Sequence, residues 1–254
     1  MSRETLPELY RDEHLIAVHK PSGLLVHRSM IDRHETRFAM QIVRDQIGRR
    51  VYPVHRLDKG TSGVLMFALD QDTARLLTAA FETRAVEKDY LAVVRGWLPD
   101  AGTVDHPLTR LVDAYEFAGD AAATDAQDAI TDYRRLASVE LPVAVDRYPS
   151  SRYSLAALSP LTGRRHQLRR HLKHLSHPII GDATYGKGRH NRMFAERFGV
   201  SRMLLACTGL RLAHPHTGSQ LDLTCPPAAD MQSVIDALGW AESDWNGATF
   251  APQR

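Results

Sequence analysis

One carboxylate, Asp58, stands in the stretch HRLDKGTSG (His55 to Gly63), a glycine-punctuated turn between two apolar runs. Gly60 and Gly63 permit backbone conformations that residues with a Cβ resist, and Thr61 and Ser62 can hydrogen-bond the loop into one shape. A lone turn aspartate is most often a cap. A nucleophile would be held in the same way, and a second block favours that chemistry. In LTGRRHQLRRHLKHLSH (Leu161 to His177), Leu168, Leu172 and Leu175 recur at i, i+4 and i+7, the apolar stripe of a helix. Arg169 falls beside this stripe, whereas Arg170 and His174 point away. Arg169 is therefore the arginine able to enter a partly buried site, pair in bidentate fashion with a carboxylate and keep it ionised.

The elements that must hold these groups follow from pattern. Leu15 to His19 predicts a short strand ending at the turn Lys20-Pro21-Ser22-Gly23. The runs Val51, Tyr52, Val54, Leu57 and Val64 to Phe67 predict strands on either side of Asp58. Asp70 caps a helix with Ala74, Leu77 and Phe81 on one face, ending near Thr83. Asp89 to Arg95, Ile130 to Val139 and Arg152 to Leu158 predict further strands. Strands joined by turns, with helices interspersed irregularly, give an α+β fold with a mixed, largely antiparallel central sheet flanked by helices. Residues 1–254 are expected to form one catalytic domain. Between 111 and 129, Asp113, Glu116, Asp120, Asp125 and Asp128 occur without Lys or Arg, which predicts a mobile acidic loop.

The net charge is only +2 over 254 residues, so total charge does not announce a nucleic-acid partner. Its distribution does. From Gly163 to Arg192 the chain carries eight basic residues against one acid, Asp182. The two cysteines, Cys207 and Cys225, form no CxxC pair, which leaves a disulfide framework and a cysteine zinc site unsupported and points to a reducing compartment. His166, His171, His174 and His177 scatter around their helix with no carboxylate beside them, so no metal is expected. The charged N-terminus and the lack of an apolar run of bilayer length predict a cytoplasmic protein without a membrane partner, and nothing suggests an obligate oligomer, so a monomer is expected.

Four blocks in order, HRLDKGTSG, EKDYLAVVRG, TGRRHQLRRHL and HPIIGDATYG, together with the early Lys20-Pro21-Ser22-Gly23 turn and the late AHPHTG, make the chain resemble the RluA-type pseudouridine synthases. LVHRSMIDRHE, VRDQIGRRV and the RGWL after Tyr90 are most similar to the members that act on tRNA, which implies uridine 65 of tRNA as the target. The resemblance implies Asp58 as the catalytic aspartate, Arg169 as its partner and Tyr90 against the target base, where it could assist removal of the carbon-5 proton. Arg56 would fill the space vacated in the RNA stack; Lys59, Arg164, Arg165, Arg170 and Lys173 would contact the RNA backbone. No cofactor or metal is implied. His55 and His166 are read as loop-ordering groups. Lys59 stands where the family usually has arginine, and Ala206 where its members commonly have histidine, which implies an altered pocket edge. No RNA-binding module precedes the catalytic part, an expectation that favours a compact RNA such as tRNA. Two alternatives remain: the same chemistry on ribosomal RNA, and a non-catalytic RNA-binding protein. A metal-dependent nuclease is excluded, because the acids of 111–129 lack ligand spacing.

Overall fold

The computed structural model describes residues 4–28, 35–111 and 125–244. In chain order the elements are β1 (Glu8–Arg11), β2 (Leu15–Lys20), α1 (Ala39–Ile47), β3 (Tyr52–Pro53), β4 (Ser62–Ala68), α2 (Gln71–Glu82), β5 (Glu87–Arg95) and β6 (Ala101–Asp105). They continue with β7 (Leu108–Thr109), β8 (Ala126–Gln127), β9 (Ile130–Leu141), β10 (Ser151–Pro160), α3 (Gln167–His174), α4 (Gly188–Phe198), β11 (Leu205–Ala213), β12 (Gln220–Thr224) and α5 (Ala229–Ala237).

One sheet runs in the order β1-β2-β4-β11-β5-β10-β9-β6, with β12 added to β11 and β3 to β4. Every pairing in it is antiparallel except β4 with β11, so the sheet is mixed and largely antiparallel as expected. The parallel contact is close. Gly63 lies there at φ +114°, and a Cβ on it would stand 2.0 Å from the Cys207 carbonyl oxygen, so only glycine fits.

Alternation along β5 divides the core. Leu91 and Val93 pack with Met193 and Phe194 of α4 and Met231, Val234 and Ile235 of α5, while Ala92 and Val94 pack with Leu168 and Leu172 of α3. Tyr90 and Lys88 share the α3 side by the same period of two. Asp70 caps α2 by accepting from the Thr73 N–H at 2.8 Å, and Leu77 is buried with Ala74 and Phe81 packed alongside.

Two expectations need correction. Of the apolar run from Val51 to Leu57, only Tyr52–Pro53 is a strand; Val54 and Leu57 are buried from the loop instead, because apolar side chains satisfy a core without ladder pairing. In the acidic segment expected to be a loop, residues 112–124 lie outside the described residues, and Ala126–Gln127 forms a two-residue strand paired with Leu108–Thr109.

Candidate active site

A cleft of about 650 Å³, within the usual range for small-ligand pockets, opens between the Asp58 loop, the end of α2, β5 and the turn before α3. Asp58, Tyr90 and Arg169 all line it, as do Arg56, Arg164 and Arg165. The remaining expected RNA contacts do not. Lys59 Nζ pairs with Glu35 at 2.6 Å, Arg170 donates to the Thr109 carbonyl at 2.9 Å and Lys173 is exposed on α3; all three are absent from the lining.

The Asp58 loop is built by local bonds and then braced by the Lys20-Pro21-Ser22-Gly23 turn. Thr61 N–H donates to the Asp58 carbonyl at 3.0 Å, Gly23 N–H to the Lys59 carbonyl at 2.8 Å and Ser22 Oγ to the Gly60 carbonyl at 2.8 Å. Lys20 is fully buried beneath it, its ammonium donating to the carbonyls of Leu24, Pro21 and Lys59 at 2.7, 2.9 and 3.3 Å. Burial pulls its pKa down to about 7 against the favourable pull of Asp58. His55 ties the loop to β4 by accepting from the Met66 N–H at 2.9 Å, and burial takes its pKa down to about 3.

Arg169 reaches Asp58 with a single bond, Nη1 to Oδ2 at 3.0 Å. Its bidentate contact goes elsewhere: Nε and Nη2 donate to Asp182 at 2.7 and 2.9 Å. The expectation of a bidentate arginine thus holds for the residue and fails for its partner, because the fork of the guanidinium is filled by a second carboxylate. Asp182 also accepts from the Thr184 and Tyr185 N–H groups at 2.9 and 3.0 Å. Burial pushes its carboxyl upward, but Arg169 and these backbone donors outweigh burial and hold it below the usual carboxylate range. Arg169, in turn, is raised, since its two carboxylates overcome the cost of burial.

Asp182 is the functional residue that sequence reasoning missed, although its block HPIIGDATYG was in view as a family signature. That segment is threaded between β5 and β11: Ile180 N–H donates to the Val93 carbonyl and Leu204 N–H to the Ile180 carbonyl, each at 2.9 Å. Gly181, at φ +79°, delivers Asp182 inward where an added Cβ would stand 1.9 Å from the Arg202 carbonyl oxygen. A lone acid in a basic stretch was the available signal, since burial forces such a residue to pair.

The turn before α3 is locked by a second missed pair. Thr162 Oγ1 donates to Gln167 Oε1 at 2.7 Å and accepts from the Ile130 N–H at 2.9 Å, while Gln167 Nε2 donates to the Ile130 carbonyl at 2.9 Å. His166 follows with φ +56°, a left-handed conformation costing about 1 kcal/mol or more for a residue with a Cβ. Its Nε2 lies 3.9 Å from Asp58 Oδ1 and its Nδ1 3.1 Å from the Tyr185 hydroxyl. Burial, opposed by Asp58, lowers its pKa, so the ring is neutral near pH 7. Tyr90 is half-buried; burial, with Cys207 and Asp58 nearby, pushes its phenol well above the ordinary value.

Ala206 is not a pocket edge. It is 1% exposed on β11, paired with Ser62, and packs in the cluster under α4 and α5. Among the described residues the one group spaced for a metal ion, His14, Asp70 and His216, lies outside the cleft. Its two imidazoles stack at 3.8 Å between ring centroids, which prevents both in-plane lone pairs from meeting on one ion.

Comparison with known proteins places this geometry in context. Residues 14–174 match the family model described as RNA pseudouridylate synthase. The chain is 51% identical to tRNA pseudouridine synthase C of Yersinia pestis over 92% of its own length and 91% of the relative's. It is 50% identical to tRNA pseudouridine synthase C of Pasteurella multocida (strain Pm70) over 93% and 97%. Among solved structures it is similar to Human RNA Pseudouridylate Synthase Domain Containing 4, with a TM-score of 0.68 and 27% identity over 92% of this chain and 93% of that one.

Proposed function

The chain belongs to the RNA pseudouridylate synthase family, isomerases that act on RNA, and on that premise we propose that it converts uridine 65 of tRNA to pseudouridine with Asp58 as the catalytic group. The tRNA pseudouridine synthases C of Yersinia pestis and Pasteurella multocida, its relatives, support tRNA as the substrate. The observation that carries the role of Asp58 is the chain Asp58–Arg169–Asp182, in which a buried carboxylate anchors the arginine that holds a second carboxylate at the cleft.

The reaction breaks the bond from C1′ of ribose to N1 of uracil, forms a bond from C1′ to C5, and removes the C5 proton while N1 gains one, either the same proton or one exchanged with solvent. No atom is gained or lost. The target base must leave the stack, at a cost of a few kcal/mol, to reach Asp58 in the cleft. Arg169 keeps the Asp58 carboxylate oriented; Tyr90, protonated at neutral pH, offers the base its ring as a wall rather than a phenolate as base. Arg56, exposed at the cleft lip, is placed to fill the stack, and Arg164 and Arg165 meet phosphates. No protein metal or cofactor is required by these steps.

Carbodiimide mapping with primer extension on unmodified tRNA, using wild type and Asp58→Ala, tests the reading. A stop at position 65 with wild type alone is expected. A stop at another position, or in ribosomal RNA only, would overturn the target; turnover by Asp58→Ala would overturn the assignment of the aspartate.

A further inference from the structure

Lys88 lines the cleft beside Tyr90 and is not explained by the site already described. On β5, Lys88 and Tyr90 are two residues apart on the face toward α3, about 7 Å along the strand. The flanking acids Glu87 and Asp89 alternate to the opposite side, where both are taken by Arg211 at 2.9 and 2.6 Å. Among the described residues, Lys88 Nζ has no hydrogen bond or ion pair. Two further cations stand at the same lip, Arg84 directly after α2 and Arg56 before Asp58; both are exposed and neither has a carboxylate partner among the described residues. Against these three, Asp58 and an exposed Glu82 are the acids of the lining.

A half-buried ammonium without a counter-ion is costly, and burial, reinforced by Arg84, accordingly lowers the pKa of Lys88. A hydrophobic or neutral polar residue would be cheaper at this position unless an anion completes the site. We propose that Lys88, with Arg84 at the rim, forms a phosphate subsite that grips a phosphodiester flanking the target uridine and so sets the depth to which the nucleotide enters. This rests on the reading that a uridine of RNA enters the cleft. A compact ammonium on a flexible stem suits a phosphate oxygen, and an ammonium with a neighbouring guanidinium, Arg84, suits a charged group better than the neutral edge of uracil.

The test compares Lys88→Met, Lys88→Arg and Lys88→Gln in two settings: turnover in the otherwise wild-type chain, and tRNA binding in the Asp58→Ala background. For Lys88→Met, KM is expected to rise about tenfold or more with little change in kcat at saturation, and Kd to rise in parallel. Lys88→Arg should recover most of the loss and Lys88→Gln little. The slope of log Kd against log salt should shrink by about 0.7–1, one phosphate contact. RNA carrying a neutral methylphosphonate at one linkage beside the target should cost wild type the same factor and Lys88→Met nothing. Unchanged KM, Kd and salt slope in Lys88→Met would overturn the proposal. So would rescue by Gln equal to that by Arg, which would assign Lys88 to a neutral base edge. Because Kd is read without turnover, failure of wild type to modify tRNA would count against the proposed target and leave the binding comparison to judge Lys88.

Discussion

Arg169 spends its guanidinium on two carboxylates of different standing. Asp182 is fully shielded and takes the fork; Asp58 faces the cleft and takes one nitrogen. Breaking a buried pair by removing one partner costs about 3–5 kcal/mol, so Asp182→Ala should lower unfolding stability by that amount in a denaturant titration. It should also lower kcat while RNA affinity is kept, since Arg169 loses its anchor. Because folding depresses the Asp182 carboxyl, its contribution to stability is present above the ordinary carboxylate pKa and is lost as pH falls through the lower folded value. Lys20 has the opposite chemistry. Its folded pKa of about 7 lies below that of the unfolded chain, so the unfolded state binds more protons between about pH 7 and 10 and stability rises with pH there. Lys20→Met should remove this rise, at most about 1.4 kcal/mol per pH unit, as read from unfolding curves at several pH values.

The helix that carries Arg169 has only eight residues, Gln167–His174, too short to be stable without packing. Leu168 and Leu172, 7% and 2% exposed, fasten it to β5 and β10. Leu172→Ala should cost about 2–5 kcal/mol and, by loosening the helix, reduce kcat more than it raises KM. Gly181 is under a different constraint, since its positive φ and the neighbouring Arg202 carbonyl leave no room for a side chain. Gly181→Ala should destabilise by about 1–3 kcal/mol or more and displace Asp182, so activity should fall further than in a variant with equal loss of stability elsewhere. The face of α3 was legible beforehand because 100° per residue is a local rule: the leucine stripe alone put Arg169 next to the core and His174 outside. The run around Val54 misled, since burial and strand pairing leave the same apolar signature.

For the molecule as a whole, the cleft joins residues distant in sequence, and its RNA affinity should be separable from its chemistry. Asp58→Ala should abolish pseudouridine formation and change tRNA Kd less than about threefold, because one carboxylate at a basic cleft contributes little to phosphate binding. Filter binding on the same RNA used for mapping checks this. Among the described residues no helix is long and apolar enough to cross a membrane.

The sequence by itself determined the α+β class, the positions of β2, β4, β5, β9 and β10, the capped α2, the Asp58 turn, the inward face of Arg169 and the family. These depend on periodicity, turn chemistry and ordered blocks, all of which are carried by neighbours in the chain. Only the tertiary structure decided who pairs with whom. Arg169 meets Asp58 across 111 positions and Asp182 across 13, and the Lys20 turn braces the Lys59 carbonyl across 39. It also left Lys88 facing the cleft without a hydrogen-bond or ion-pair partner among the described residues and moved Ala206 from the expected pocket edge into the core. A charge pair is selected by distance and shared burial in three dimensions, and neither has a period that can be read along the chain.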